Sequence, residues 1–183
     1  MTLTSVNPYT GRTINEYEAF SAEKVDRMLE LSDVAYKQWR KSGLRERGKY
    51  MRHAAAILKR KKDEYARLIA TEMGKPISEG LAEAEKCAWV CEYYAENAIV
   101  FLQPEKVETD GMSSRVEFHS LGVVLAVMPW NFPFWQVFRF LAPAIMAGNA
   151  VVLKHASNVS GCALAIEDVM REAGFPESLF QTL

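Results

Sequence analysis

Three cysteines, three histidines and a formal net charge of −1 leave this 183-residue chain short of several kinds of chemistry. Cys87, Cys91 and Cys162 fit no zinc-ligand spacing, and no histidine lies near the first pair, so a metal centre is not expected. An odd set of cysteines with no framework spacing suits reduced structural thiols, the usual state in a cytosol. The 22 Lys+Arg nearly balance the 23 Asp+Glu, so no overall field draws in nucleic acid or an anionic membrane. The one dense basic run, Lys59-Arg60-Lys61-Lys62, is followed by Asp63 and Glu64 and reads as a solvated helix face. No apolar run approaches the roughly 18 residues of a membrane span. The start, Met1-Thr2-Leu3-Thr4-Ser5-Val6-Asn7-Pro8, has no basic segment leading into an apolar one, so no secretory leader is expected. Internal repeats and low-complexity tracts are lacking too, which excludes arrays and tails. These absences point to a cytoplasmic protein with neither a nucleic-acid nor a membrane partner.

What remains is globular composition, 49% apolar and 25% charged, at a length that suits about one domain. Asn7-Pro8-Tyr9-Thr10-Gly11 reads as a turn. Ser21 is a suitable N-cap for a helix carrying Val25, Met28, Leu29, Ser32, Ala35 and Trp39 at helical spacing, ended by Gly43. A second helix is predicted over 44–73 and a third over 77–102, stopped before Pro104. Trp89, Tyr93 and Tyr94 on the third read as core or inter-helix packing. The period then changes. Val107, Thr109, the Asp110-Gly111 turn and the alternation Arg115-Val116-Glu117-Phe118-His119 predict a β-hairpin.

From residue 122 the pattern changes again. Gly122–Met128 is a continuous apolar run, which suits a strand buried on both faces. Pro133 fits the first position of a helix over 134–147, with Gly148-Asn149 as its stop. Ala150-Val151-Val152-Leu153 predicts a second buried strand, 160–173 a further helix, and Phe180–Leu183 the start of a third strand. Such alternation implies parallel strands joined by right-handed crossovers, an α/β Rossmann-like doubly wound sheet. A doubly wound sheet with so few strands would leave a long apolar edge, so the chain reads as the front part of something larger, an incomplete fold. The organisation expected is a helical part over 1–104, a hairpin over 105–120 and an α/β part over 121–183.

Open α/β sheets bind ligands beyond the carboxyl ends of their strands. Two such ends fall at Met128-Pro129-Trp130-Asn131-Phe132-Pro133 and at Lys154-His155-Ala156-Ser157-Asn158. The two prolines bracketing Trp-Asn-Phe hold that backbone extended. Arg139 sits in the strongly apolar helix Phe134-Trp135-Gln136-Val137-Phe138-Arg139-Phe140, four residues after Trp135 and so on its face. It lies about 9 Å along the helix axis from Pro133, at 1.5 Å per residue. Helical side chains lean toward the N-terminus, so its guanidinium can point back toward Asn131. Pro143 cannot donate to the carbonyl of residue 139, which favours a bend there.

The Pro129-Trp130-Asn131-Phe132-Pro133 run, followed by Ala147-Gly148-Asn149-Ala150-Val151-Val152-Leu153-Lys154, resembles the aldehyde dehydrogenase superfamily. The Asn7–Gly11 start, Glu72-Met73-Gly74-Lys75-Pro76 and the hairpin extend the resemblance over essentially the whole chain. Lys154-His155-Ala156-Ser157-Asn158 and the arginine at 139 are similar to succinate-semialdehyde dehydrogenases. The resemblance implies thiolate attack on an aldehyde, hydride transfer to a nicotinamide and hydrolysis of a thioester. It implies that Asn131 stabilises the oxyanion, where one amide donor is worth roughly 3–4 kcal/mol. The other reading of Asn131 is an Asx-type turn residue.

By the same resemblance Lys154 serves the adenosine ribose; otherwise it marks where a strand meets solvent. Where many NAD-preferring relatives carry a carboxylate stands Ser157, which removes repulsion of a 2′-phosphate and favours NADP, with NAD possible. Met128, Pro129, Trp130, His155 and Ala156 join Asn131, Lys154 and Ser157 as expected cofactor contacts. Arg139 would bind the distal carboxylate of a small semialdehyde, with Trp135 and Phe132 beside it; a structural salt bridge is the alternative. The hairpin resembles the family's oligomerisation element, so a homo-oligomer is expected. No cysteine here lies in a motif matching the family's nucleophile, and the general-base glutamate is missing too. Two alternatives stay open: a dehydrogenase for another aldehyde, and a non-catalytic α/β interaction module.

Overall fold

The computed structural model describes residues 2–183. The chain opens with an antiparallel hairpin, β1 (Thr2–Val6) and β2 (Thr13–Glu18). Asn7 Oδ1 accepts from the Tyr9 and Thr10 amides at 2.9 and 3.2 Å, which builds the expected turn. The two flanking strands are additional to the sequence reading. Helix α1 (Ala22–Trp39) follows, with Ser21 accepting from the Lys24 amide. Then come α2 (Leu44–Arg60), α3 (Lys62–Met73) and α4 (Ile77–Phe101).

The helix expected over 44–73 is therefore two helices. Lys61 leaves helical geometry at φ −102°, ψ 16°. Arg60 and Lys61 both reach Glu172, while Lys59 pairs with Glu92 and Lys62 with Glu85. The basic run is thus an exposed face with each cation matched to an acid. Trp89 and Tyr93 correct a second expectation. They are 56% and 37% exposed and stack on each other at 5.5 Å, so they form a surface cluster, while Tyr94 packs against the core.

The hairpin is present but short: β3 (Glu105–Val107) pairs with β4 (Ser114–Val116), and the alternation over 117–119 continues outside any strand. Beyond it, β5 (Val123–Met128), α5 (Trp135–Met146), β6 (Ala150–His155), a 3₁₀ turn at Ser157–Val159, α6 (Ser160–Glu172) and β7 (Phe180–Thr182) follow in turn. The three strands are parallel in the order β5-β6-β7. The expected α/β alternation and parallel sheet are borne out.

Helices cover both faces of this sheet, as side-chain alternation on β7 shows. Gln181 Nε2 donates to the Met28 carbonyl and Ser32 Oγ of α1 at 2.6 and 2.7 Å. The next residue, Thr182, turns its hydroxyl to the Ala163 carbonyl of α6. β6 is the buried central strand; only Lys154 on it is exposed. β5 departs from its expectation of burial on both faces. Leu125 and Val127 are 60% and 66% exposed. β5 is an edge, and Leu125 shares a face with Val152 and Gln181, the face that α1 covers farther along.

The helical layer is locked to the α/β layer by buried polar groups. Arg47, 6% exposed, lies where α1 and α5 end. Its Nη2 donates to the Trp39 and Arg40 carbonyls, its Nη1 to the Met146 carbonyl and its Nε to Ser42 Oγ, at 3.0–3.2 Å. Carbonyls at helix C-termini carry the negative end of the helix dipole, so a cation there is favoured. Burial nonetheless pulls the Arg47 pKa below its ordinary value. Gly148 ends α5 at φ +92°, and a Cβ there would stand 2.8 Å from Arg47 Nη1. Glycine serves that position twice, by its backbone and by its lack of a side chain.

Candidate active site

The loops after β5 and β6 emerge at the same end of the sheet, since Met128 and His155 pair in register. Two hydrogen bonds tie them together. The Ala156 amide donates to the Met128 carbonyl at 3.1 Å. His155 Nε2 donates to the Pro133 carbonyl at 2.8 Å, because its Nδ1 already accepts from the Ala156 amide at 2.9 Å. Burial pushes the His155 pKa below its ordinary value, outweighing the hydrogen bonds that oppose the shift. A neutral imidazole thus bridges two segments that the sequence placed at separate strand ends.

Within the first loop Trp130, Asn131 and Phe132 are exposed and Pro133 is buried. Regular α5 runs from Trp135, but the Gln136 amide already donates to the Phe132 carbonyl at 3.0 Å, which leaves Pro133 at the opening position of the first turn, as expected. A side chain from another element caps this turn. Glu83 of α4, 4% exposed, accepts from the Phe134 and Trp135 amides with Oε1, both at 2.9 Å. Its Oε2 takes Lys75 Nζ at 2.5 Å. Lys75 Nζ also lies 3.6 Å from the centroid of the Phe132 ring. The start of α6 has a parallel arrangement. Glu72, 2% exposed, accepts from the Gly161 and Cys162 amides at 2.9 and 2.8 Å and from Ser5 Oγ at 2.8 Å.

Arg139 is exposed and takes part in no ion pair among the described residues. The alternative of a structural salt bridge therefore has no partner here. Trp135, one turn earlier, is half-buried with Lys86 Nζ 4.1 Å from its ring centroid. Lys154 and Ser157 are exposed and, with His155, line a cavity of about 630 Å³ walled also by Glu16, Tyr17 and Glu18 of β2. Asn131, Met128, Pro129, Trp130, Ala156, Phe132, Trp135 and Arg139 do not line that cavity. The sequence-derived residues thus share one end of the sheet but form two groups. One lines a hollow with Lys154 and Ser157; the other, with Asn131 and Arg139, lies outside it.

In the hollow stand together an exposed ammonium, Lys154, with no ion-pair partner among the described residues, the Ser157 hydroxyl and apolar walls. Glu16 and Glu18 stand on the same wall, so the hollow carries charge of both signs. All three cysteines are buried, and burial raises each thiol pKa, with Glu72 adding to the effect at Cys162. None of them is an activated nucleophile, which requires a lowered pKa and access. Among the described residues no group of His, Cys, Asp and Glu could hold a metal ion. No helix among the described residues is long and apolar enough to cross a membrane.

Sequence reasoning missed Glu83, Lys75, Glu72 and Arg47. Lys75 and Glu72 stand in the quoted 72–76 segment, but nothing local distinguishes Glu83 from Glu79 or Glu85 on the same helix.

A parallel sheet sandwiched by helices, with functional loops at its carboxyl end, defines an α/β protein of the dinucleotide-binding type. Comparison with known proteins makes this specific. The model of the aldehyde dehydrogenase family matches residues 1–183, and the chain belongs to that family. It is 50% identical over 183 residues to a probable succinate-semialdehyde dehydrogenase [NADP(+)] of Synechocystis, covering 100% of this chain and 40% of that protein. A succinate semialdehyde dehydrogenase [NAD(P)+] of Escherichia coli is 38% identical over 96% of this chain and 38% of its own length. Among solved structures, succinic semialdehyde dehydrogenase from Streptococcus pyogenes in complex with NADP+ superposes with a TM-score of 0.95. That match is 36% identical and covers 99% of this chain and 40% of the other. The chain spans about 40% of the length of the curated relatives it matches.

Proposed function

We propose that these residues form the N-terminal, cofactor-side part of a cytoplasmic succinate-semialdehyde dehydrogenase that uses NADP, with NAD as the second choice. The dinucleotide, when bound, accepts the hydride of the aldehyde carbon. Lys154 and Ser157 hold its ribose 2′-phosphate, and the backbone of Met128, Pro129, Trp130, His155 and Ala156 borders it. The Asn131 carboxamide donates to the carbonyl oxygen as negative charge develops there, a preorganised donor that costs no rearrangement. Arg139 takes the distal carboxylate in a bidentate pair, and Trp135 and Phe132 flank the chain between. The attacking thiolate and the general base come from outside these 183 residues. The short hairpin at 105–116 serves assembly into a homo-oligomer.

The observation that supports this reading most is Arg139: an exposed guanidinium with no acidic partner, on the helix that begins just behind the Asn131 turn. An exposed guanidinium that no acid among the described residues occupies is open to bidentate binding of a short carboxylate. In the full-length protein, Arg139→Ala is expected to lower kcat/KM for succinate semialdehyde about 10- to 150-fold, since a hydrogen bond to a charged group contributes ~1.5–3 kcal/mol. Butanal, which lacks the carboxylate, should change less than about 3-fold on the same scale of reasoning. Equal losses for both aldehydes refute the carboxylate role. For the cofactor, Ser157→Glu is expected to shift the preference toward NAD; an unchanged NADP/NAD ratio counts against it.

A further inference from the structure

We propose that Lys75 and Glu83 are a positioning pair that presets the Asn131 turn. This rests on the reading of Asn131 given above.

Asn131 itself is exposed, and among the described residues no side-chain hydrogen bond holds its carboxamide. The four residues after it are each gripped from outside the turn. Lys75 Nζ lies 3.6 Å from the centroid of the Phe132 ring. His155 Nε2 holds the Pro133 carbonyl at 2.8 Å. Glu83 Oε1 takes the Phe134 and Trp135 amides, both at 2.9 Å. The carboxamide is thus free at its tip and anchored at its base, as a donor aimed at a transient oxyanion has to be.

The pair is the centre of that anchor because its charges depend on each other. The side chains of Lys75 and Glu83 are 5% and 2% exposed, and the Nζ–Oε2 distance is 2.5 Å. Glu83 complements the positive end of α5. Lys75 balances the remaining charge and lies against the ring next to Asn131. Removing one partner leaves the other buried and uncompensated, and the adjacent turn loses its fixed pose. The alternative is that the pair merely holds α4 to α5. That role predicts lost stability and no specific link to Asn131.

A double-mutant cycle in the full-length enzyme separates the two, measuring kcat, KM and the thermal midpoint. Asn131→Ala alone should lower kcat by roughly 10²–10³-fold, as for other oxyanion donors. Lys75→Met should lower kcat about 10-fold with KM for the aldehyde little changed, since small misplacements of a catalytic group are costly. In the Asn131→Ala background the same Lys75→Met substitution should lower kcat less than about 2-fold, because residues acting as a unit are non-additive. Glu83→Gln keeps an acceptor for the two amides and is the second arm should Lys75→Met fail to fold. Equal fold-losses in both backgrounds, or a folded Lys75→Met or Glu83→Gln enzyme with unchanged kcat, overturn the positioning role. An Asn131→Ala enzyme with unchanged kcat overturns the oxyanion reading itself and the positioning role with it; this shows in the single variant.

Discussion

At the end of β5 the chain enters α5 with the Phe134 and Trp135 amides on Glu83; at the end of β6 it enters α6 with the Gly161 and Cys162 amides on Glu72. Both carboxylates come from the helical layer, Glu83 from α4 and Glu72 from α3, and both are buried. In each case the positive end of a helix is satisfied by a protein anion. The two differ in what balances that anion. Glu83 has the Lys75 ammonium, whereas Glu72 has a neutral hydroxyl, Ser5 Oγ. Helix amides and one hydroxyl suffice to keep a carboxylate in the interior at α6. At α5 a second charge is present, and it touches the loop that carries Asn131. The extra ion is better understood through its neighbour than through the helix end.

That contrast can be broken experimentally. Glu83→Ala strands a buried ammonium and two amides, and should cost about 3–5 kcal/mol in denaturant unfolding. Glu72→Ala strands two amides and a hydroxyl but no opposite charge, so about 2–3 kcal/mol is expected. If Glu72→Ala proves the costlier, the cation is not what distinguishes the two turns. Gly161→Ala sharpens the comparison on the α6 side. Its Cβ would stand 2.8 Å from Glu72 Oε1 and must displace the carboxylate, for about 1–3 kcal/mol.

The smallest effect is a pH dependence through His155, which links the two loops. Burial lowers its native pKa below the ordinary 6.5, so the unfolded chain takes up the proton first. The stability it contributes is present above about pH 6.5 and lost as pH falls through the lowered native value. A series of thermal midpoints from neutral to acid pH should show this slope, and His155→Gln should flatten it. An identical slope in the variant assigns the acid sensitivity elsewhere.

Much of this architecture is legible in sequence because it rests on local periodicity. The α1 repeat of apolar residues, the Gly148-Asn149 stop and the apolar runs of β5 and β6 all announce their elements. The carboxyl-end loops are legible for the same reason: proline and lysine punctuate the ends of apolar runs. Features set by tertiary partners are not. Nothing near Lys61 signals the break between α2 and α3, since neither glycine nor proline marks it, and its cations reach a glutamate on α6. The apolar run of β5 reads as doubly buried, and the bare Leu125 and Val127 are the open apolar edge expected of a sheet with so few strands. Asn131, Lys154 and Arg139 stand out through the motifs around them and the family resemblance those motifs carry. Glu83 reaches its amides across 51 and 52 residues, a distance over which no local pattern speaks.

Arg47 carries one more consequence, for how this scaffold can change over time. Three of its four acceptors are main-chain oxygens, at Trp39, Arg40 and Met146, and every residue type supplies one. Of those three positions only Arg40 is exposed and free to drift; Met146 is buried, and Trp39 itself joins α1 to α5, donating from Nε1 to the Ile145 carbonyl at 2.9 Å. The freedom is one-sided: the guanidinium has no substitute that forks to so many carbonyls, and the void at position 148 admits no added carbon. In a set of descendants, positions 47 and 148 should stand still together while position 40, which lends only its carbonyl, diversifies.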